Sequence, residues 1–360
     1  MTRYNNILQL PPYSLTHVDK HALIMERLIE LTQHHYARCR PYRRILDAQG
    51  TKIDAIHSVE DIPFLPVSLF KEHDLLSVLP ELVVKTMTSS GTTGQTVSKI
   101  HLDKITATNQ QKTLVKIVSD FTGPARMPLL IIDSPSVMKN RNLFSARGAG
   151  ILGFSIFGAD KAYALDEDMS LDMTVVDAFL EKHRGRTILM FGFTFMVWQH
   201  FYQQLLSVKN KPDLSNGILI HGGGWKKLQS EAISPVDFAM ALYSVCGVTR
   251  VFDYYGMVEQ TGCIYMQCEA GHLHASVFSD IIIRNHLDFS VCAIGQPGII
   301  QVLSLIPESY PGHSLLTEDQ GVLLGEDDCS CGRMGKYFKV LGRLPRAELR
   351  GCSDTYATQF

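Results

Sequence analysis

The sequence predicts an α/β protein, with parallel or mixed sheets flanked by helices and a smaller β-rich subdomain toward the C-terminus. Three observations predict it. Short apolar runs at 129–132, 187–190, 217–220 and 250–253 stop at glycine or polar loops, as strands buried on both faces do. Helix-length stretches at 166–183 and 197–206 separate them, the alternation of βαβ units. After about Asp280 the pattern shortens to strands and turns at 299–305, 321–324 and 337–341.

In chain order, an amphipathic helix comes first. Leu23, Ile24, Leu28 and Leu31 form a stripe between Thr16 and Tyr36, with His17, Lys20 and Glu30 elsewhere on the surface. His34 and His35 fall on the same helix and read as surface or packing histidines. Ser58 and Asp61 resemble a helix start, but Pro63 and Pro66 favour extended chain directly after it. The expected organisation is a helical segment over 1–60, an α/β core over 61–280, a β-rich subdomain over 281–342 and a tail over 343–360 that carries Cys352. In parallel sheets ligands gather beyond the carboxyl ends of the strands, where His221-Gly-Gly-Gly-Trp225 and Tyr254-Tyr-Gly-Met-Val-Glu259 fall.

A chain of 360 residues that is 45% hydrophobic can bury a large core, and its length suits two or three structural units. The 34 basic and 36 acidic residues leave a net charge of -2, which argues against a nucleic-acid or polyanionic partner. The start has no apolar core of signal-peptide length and no run approaches a membrane span, so a cytoplasmic location is expected. Eight cysteines are too few for a disulfide scaffold in a chain this long, and those at 263/268 and 329/331 cluster, which points to metal or thiol chemistry.

The sharpest local signal is Thr88-Ser-Ser-Gly-Thr-Thr-Gly94, with Lys99 close behind. Glycines let backbone curl around an anion, and the hydroxyls of Ser89, Ser90, Thr92 and Thr93 add donors for phosphate oxygens; Gly91 and Gly94 supply the bends. It is not a P-loop, because no Lys-Ser/Thr follows the second glycine. A polar surface turn is the alternative reading of such a loop. Glycines 222–224 likewise permit close approach of a nucleotide base or acyl chain at Gly223, or simply form a tight turn beside Trp225. The segment with Asn140, Arg141 and 148–150 is a candidate lining of an acyl pocket.

The hydroxyl loop is followed in order by Tyr255-Gly256-Met-Val-Glu259, Thr317-Glu-Asp319 and Gly342-Arg343. With these the sequence resembles the adenylate-forming superfamily of acyl- and aryl-CoA ligases, and more closely the acyl-protein synthetases of bacterial luminescence, the LuxE family. The residues that carry the closer likeness are 62–71, the hydroxyl loop, Gly222-Gly-Gly-Trp225-Lys226, Ser309-Tyr-Pro311 and Gly351-Cys352-Ser353. The resemblance implies the N-terminal-domain fold of these ligases. It also implies ATP and magnesium as cofactors, and a two-step reaction through an acyl-adenylate to a thioester. Its residues would be Ser89, Ser90, Thr92 and Thr93 on phosphate, Tyr255 on adenine, Glu259 on magnesium, Asp319 on ribose and Arg343 at the hinge. Cys352 would accept the acyl group, aided toward thiolate by Arg346 and Arg350. A LuxC-like reductase of the acyl-CoA-reductase type would be the partner receiving it. Oligomeric state, homo- or hetero-, is not legible.

Cys268, Cys329 and Cys331 with His272 or His274 supply four ligands, the number a closed tetrahedral zinc site needs. Some aryl-CoA ligases carry a similar Cys/His pair and Cys-x-Cys-Gly turn. His274 fits that pattern better than His272, and reduced cysteines packed beside a turn are the alternative. The sequence departs from the superfamily pattern in three places. Val258 and Glu318 replace a threonine and a glycine, and the C-terminal ligase domain with its adenylation lysine is expected to be lacking, so that Lys99 or a partner would compensate. An acyl- or aryl-CoA or carrier-protein ligase is therefore the alternative function, and a non-catalytic nucleotide-binding subunit the second.

Overall fold

The computed structural model of the chain describes residues 3–89, 97–138, 146–225 and 231–344. From the N-terminus it forms helices α1 (Arg3–Ile7), α2 (His17–Arg38) and α3 (Arg40–Ala48), then strand β1 (Leu65–Pro66) and the short helix α4 (Leu69–Glu72). The hairpin strands β2 (Val83–Thr88) and β3 (Lys99–Asp103) follow, with α5 (Lys104–Thr122), β4 (Met127–Ile131), α6 (Ala146–Phe154) and β5 (Gly158–Tyr163). Next are α7 (Met173–Lys182), β6 (Ile188–Phe193) and a broken helix: α8 (Thr194–Met196), a π-turn (Val197–Tyr202) and α9 (Gln203–Ser207). The chain continues through β7 (Gly217–Gly222), α10 (Pro235–Cys246), β8 (Arg250–Tyr255), β9 (Tyr265–Gln267) and β10 (Leu273–His274). It ends in β11 (Ser279–Arg284), β12 (Pro297–Ser304), β13 (Ser314–Glu326) and β14 (Lys336–Arg343).

The residues group into two units, Val83–Leu273 and Met1–Leu82 with His274–Phe360. This division differs from the one expected from the sequence, because the N-terminal helices join the late strands rather than standing alone.

In the unit of 83–273, strands run in the order β5-β4-β6-β7-β8-β9. All neighbours are parallel up to β8, and β9 closes antiparallel against it. The four apolar runs read from sequence are β4, β6, β7 and β8. They need no alternation because helices cover both faces. One face packs Leu130, Met190 and Leu219 against Phe179 of α7, Phe201 of the π-turn and Phe238 of α10. The other stacks Phe191 on Phe154 of α6, with ring centroids 4.1 Å apart, and Phe252 against Phe121 of α5 at 5.4 Å. The parallel run places the carboxyl ends of β4, β6, β7 and β8 along one edge.

The other unit is built on the antiparallel ladder β11-β12-β13-β14, with β1 parallel to β13. Helix α2 packs its apolar stripe as expected, with Ile24, Leu28 and Leu31 nearly inaccessible. Lys20, expected on the polar face, is instead buried: its ammonium lies 3.7 Å from the Asp280 carboxylate, which Lys336 also reaches at 2.9 Å. His35 is a packing histidine, fully inaccessible and stacked 5.0 Å from His313. Among the described residues no helix is long and apolar enough to cross a membrane.

Candidate active site

The hydroxyl-and-glycine loop joins β2 to β3, two antiparallel strands paired in register up to Thr88 opposite Lys99. Ser89 closes the base of the loop twice. Its N–H donates to the Ser98 carbonyl at 3.2 Å, and its Oγ accepts the Ser98 N–H at 2.9 Å. An oxygen that accepts in this way still has its own O–H to donate to an anion. Ser90, Gly91, Thr92, Thr93 and Gly94 lie outside the described residues. Lys99, opposite Thr88 where β3 leaves the loop, is exposed.

Beyond β8 the chain turns through Gly256 into a 3₁₀ turn, Val258–Gln260, which buries Glu259 to 6% exposure. The Thr261 hydroxyl donates to the Val258 carbonyl at 2.9 Å, so the position where a threonine was expected contributes backbone instead. Gly262 pins the turn against α5. At φ +86°, a Cβ there would fall 2.4 Å from the Gln110 carbonyl oxygen. Tyr255, the last residue of β8, sets its ring 6.1 Å from Tyr265, and a Cβ added at the exposed Gly256 would fall 3.0 Å from Ile264.

At the end of β7, Gly223 adopts φ +80° and lies against Phe193, whose ring would be 2.6 Å from an added Cβ. The neighbouring Gly222 is equally close to Tyr254, at 2.6 Å. Two close approaches of aromatic rings explain why glycine is needed here. The sequence motifs assign no separate role to His221 or Asp253, which occupy matched register positions on β7 and β8. His221 Nδ1 is 3.0 Å from the Thr194 hydroxyl and 3.6 Å from an Asp253 oxygen, and burial holds the imidazole at about 3, neutral at physiological pH. Burial also pushes the Asp253 carboxyl upward. The position of both at strand carboxyl ends was the signal that could have found them.

In the other unit, Asp319 of β13 pairs by register with Arg343 of β14. The Thr317 hydroxyl accepts the Asp319 N–H at 3.1 Å and donates to the Ile300 carbonyl at 2.8 Å, which fixes the backbone at the aspartate. Glu318, standing where a glycine was expected, gives Arg343 an ion partner at 3.1 Å. The Arg343 side chain is 72% exposed, so this pair is worth little and the guanidinium can exchange partners at small cost. Cys352 lies outside the described residues, as do Asn140, Arg141, Arg346 and Arg350.

The donor atoms of Cys268, His274, Cys329 and Cys331 all lie within 4.8 Å of one another. Cys331 Sγ is 3.4 Å from His274 Nε2 and accepts the Arg333 N–H at 3.5 Å. Tight turns present the sulfurs: Gly271 and Gly332, at φ +81° and +79°, follow Cys268 and Cys331. Ligand sulfurs around zinc at about 2.3 Å stand about 3.8 Å apart, so three thiols and an imidazole fit the ion with small adjustments.

Compared with solved structures, the chain is most usefully set beside 2-hydroxyisobutyryl-CoA ligase bound to its acyl-AMP and CoA. The two superpose with a TM-score of 0.71 over 92% of this chain and 76% of that one, at 14% identity. A long-chain-fatty-acid-CoA ligase from Archaeoglobus fulgidus gives a TM-score of 0.50 over 76% of this chain and 54% of its own, at 15% identity. The fold is therefore that of the adenylate-forming ligases. The chain belongs to the LuxE family of acyl-protein synthetases, acid–thiol ligases, whose family model matches residues 3–360. It is similar to two proteins named long-chain-fatty-acid–luciferin-component ligase. The one from Vibrio harveyi is 23% identical over 340 residues, 91% of this chain and 85% of the relative. The one from Aliivibrio fischeri is 23% identical over 348 residues, 93% and 88% respectively.

Proposed function

We propose that the chain activates a fatty acid with ATP and passes the acyl group to the thiol of Cys352, for delivery to a LuxC-like reductase. The observation that carries this reading is the family match over nearly the whole chain, which includes the terminal Gly351-Cys352-Ser353.

In the first step a carboxylate oxygen bonds to the α-phosphorus and the bond to the β-phosphate bridge breaks, so pyrophosphate leaves. Charge builds on phosphate oxygens, and donors already aimed there lower the barrier. Ser89 with Ser90, Thr92 and Thr93 would supply hydroxyls, and Glu259 a carboxylate for magnesium. Magnesium, when bound, neutralises the phosphates. Tyr255, Gly256 and Gly223 border the nucleotide, Asp319 takes the ribose hydroxyls, and Arg343 exchanges Glu318 for phosphate. In the second step the Cys352 thiolate bonds to the acyl carbon and AMP leaves. Zinc on Cys268, His274, Cys329 and Cys331 would be structural, because four protein ligands leave no open position.

Incubating the protein with ATP, magnesium and a labelled fatty acid should yield hydroxylamine-sensitive label on the chain, absent in Cys352→Ser. Label that persists in Cys352→Ser would exclude that residue as acceptor. Consumption of coenzyme A without protein labelling would favour an acyl- or aryl-CoA ligase, a reading supported by the Cys/His cluster.

A further inference from the structure

The acid has so far no residue to orient its carboxylate, and one side chain at the carboxyl edge of the parallel sheet is built for that task. Just past the end of β4, Asp133 is 1% exposed. One oxygen accepts the Ser134 N–H at 2.7 Å, and the other lies 3.0 Å from Arg147 Nε. Burial raises the Asp133 carboxyl and the Arg147 charge opposes that rise. Arg147 itself, on α6, keeps 29% of its side chain accessible. Its NH1 lies 3.8 Å from Met196 Sδ just beyond β6, and its NH2 has no protein partner among the described residues.

Its neighbours place it. Gly150, one turn further along α6 and on the same face, would put a Cβ 2.9 Å from the ring of Phe193, the residue that abuts Gly223 on its other side. Arg147, Phe193 and Gly223 therefore follow one another across the carboxyl ends of β4, β6 and β7, where α/β sheets hold ligands. Phe193, Phe191 and Phe154 pack into an apolar layer beside it, with 7%, 1% and 3% of each exposed. An accessible guanidinium ion-paired from behind with a buried aspartate, beside an apolar layer, suits a molecule with a carboxylate head and a hydrocarbon body.

We propose that Arg147, oriented by Asp133, is the positioning residue for the carboxylate of the incoming acid. This rests on the acid-activating function above and adds a residue to it. Arg147 binds one carboxylate oxygen while the other attacks the α-phosphorus. It keeps its charge throughout, and no proton moves.

The test is equilibrium binding to the full chain of dodecanoate and of dodecan-1-ol, which matches its length and lacks the charge. Arg147→Met should weaken dodecanoate about 10- to 100-fold, the range of a lost charged hydrogen bond, and leave the alcohol within about twofold. Arg147→Lys should recover part of the affinity, and KM for ATP in pyrophosphate exchange should not move in Arg147→Lys. Equal weakening of acid and alcohol, or unchanged acid affinity in Arg147→Met or in Arg147→Lys should Met fail to fold, would overturn the proposal. A wild type that binds dodecanoate but shows no acid-dependent pyrophosphate exchange would refute the activating function instead, while the binding comparison still decides Arg147.

Discussion

Single residues set both the rigidity of the site and the response of the protein to acid. Gly262 is held at φ +86° with its α-carbon against the Gln110 backbone. Alanine there combines a left-handed conformation costing about 1–2 kcal/mol with a contact backbone cannot yield. Gly262→Ala should lower stability by at least about 2 kcal/mol in denaturant titration and reduce pyrophosphate exchange, since Glu259 rides on the same turn. Glu259→Gln should preserve stability and slow exchange on the order of 10²-fold; undiminished exchange would remove Glu259 from the proposed site. His35 and His313 are buried side by side with Arg27 and His34 nearby, and burial pushes His313 down to about 3 from its ordinary 6.5. A base whose folded pKa is depressed is charged in the unfolded chain first. Its neutral form therefore stabilises the fold fully above 6.5, and that contribution is lost as pH falls toward 3. Melting temperature should drop through this window, and His313→Gln should flatten the drop.

At the level of elements, tight turns carry the proposed zinc ligands, Cys268 ahead of Gly271 and Cys331 ahead of Gly332. The purified protein should contain about one zinc per chain, and Cys331→Ser should lose the metal and melt several degrees lower. Metal-free protein whose melting is indifferent to chelator would assign the cluster to packing. The hydroxyl loop shows another element-level device: Ser89 and Ser98 bond reciprocally at the mouth of the β2–β3 hairpin. The local sequence shows the donors of this loop, but not that one serine also serves as its clasp.

For the molecule as a whole, the distinctive feature is that the first 82 residues fold with the chain after 273. Lys20, Asp280 and Lys336 come from α2, β11 and β14 and meet in one buried cluster. Removing the anion that both ammonium groups face leaves them without their nearest counter-charge, so Asp280→Asn should cost about 3–5 kcal/mol, measured as a lowered denaturant midpoint at unchanged slope.

The sequence by itself determined the parallel strands and the amphipathic first long helix, and it singled out the hydroxyl loop, Glu259 and the Cys/His quartet as the candidates to test. These are signals of local pattern or of motif order, and residue type alone carries them. Only the tertiary structure decided that Lys20 is buried, that Glu318 holds Arg343, that His221 faces Asp253 and that Asp133 backs Arg147. Each of these depends on which distant residue stands opposite, and hydrophobic periodicity reports a residue's face without naming its partner.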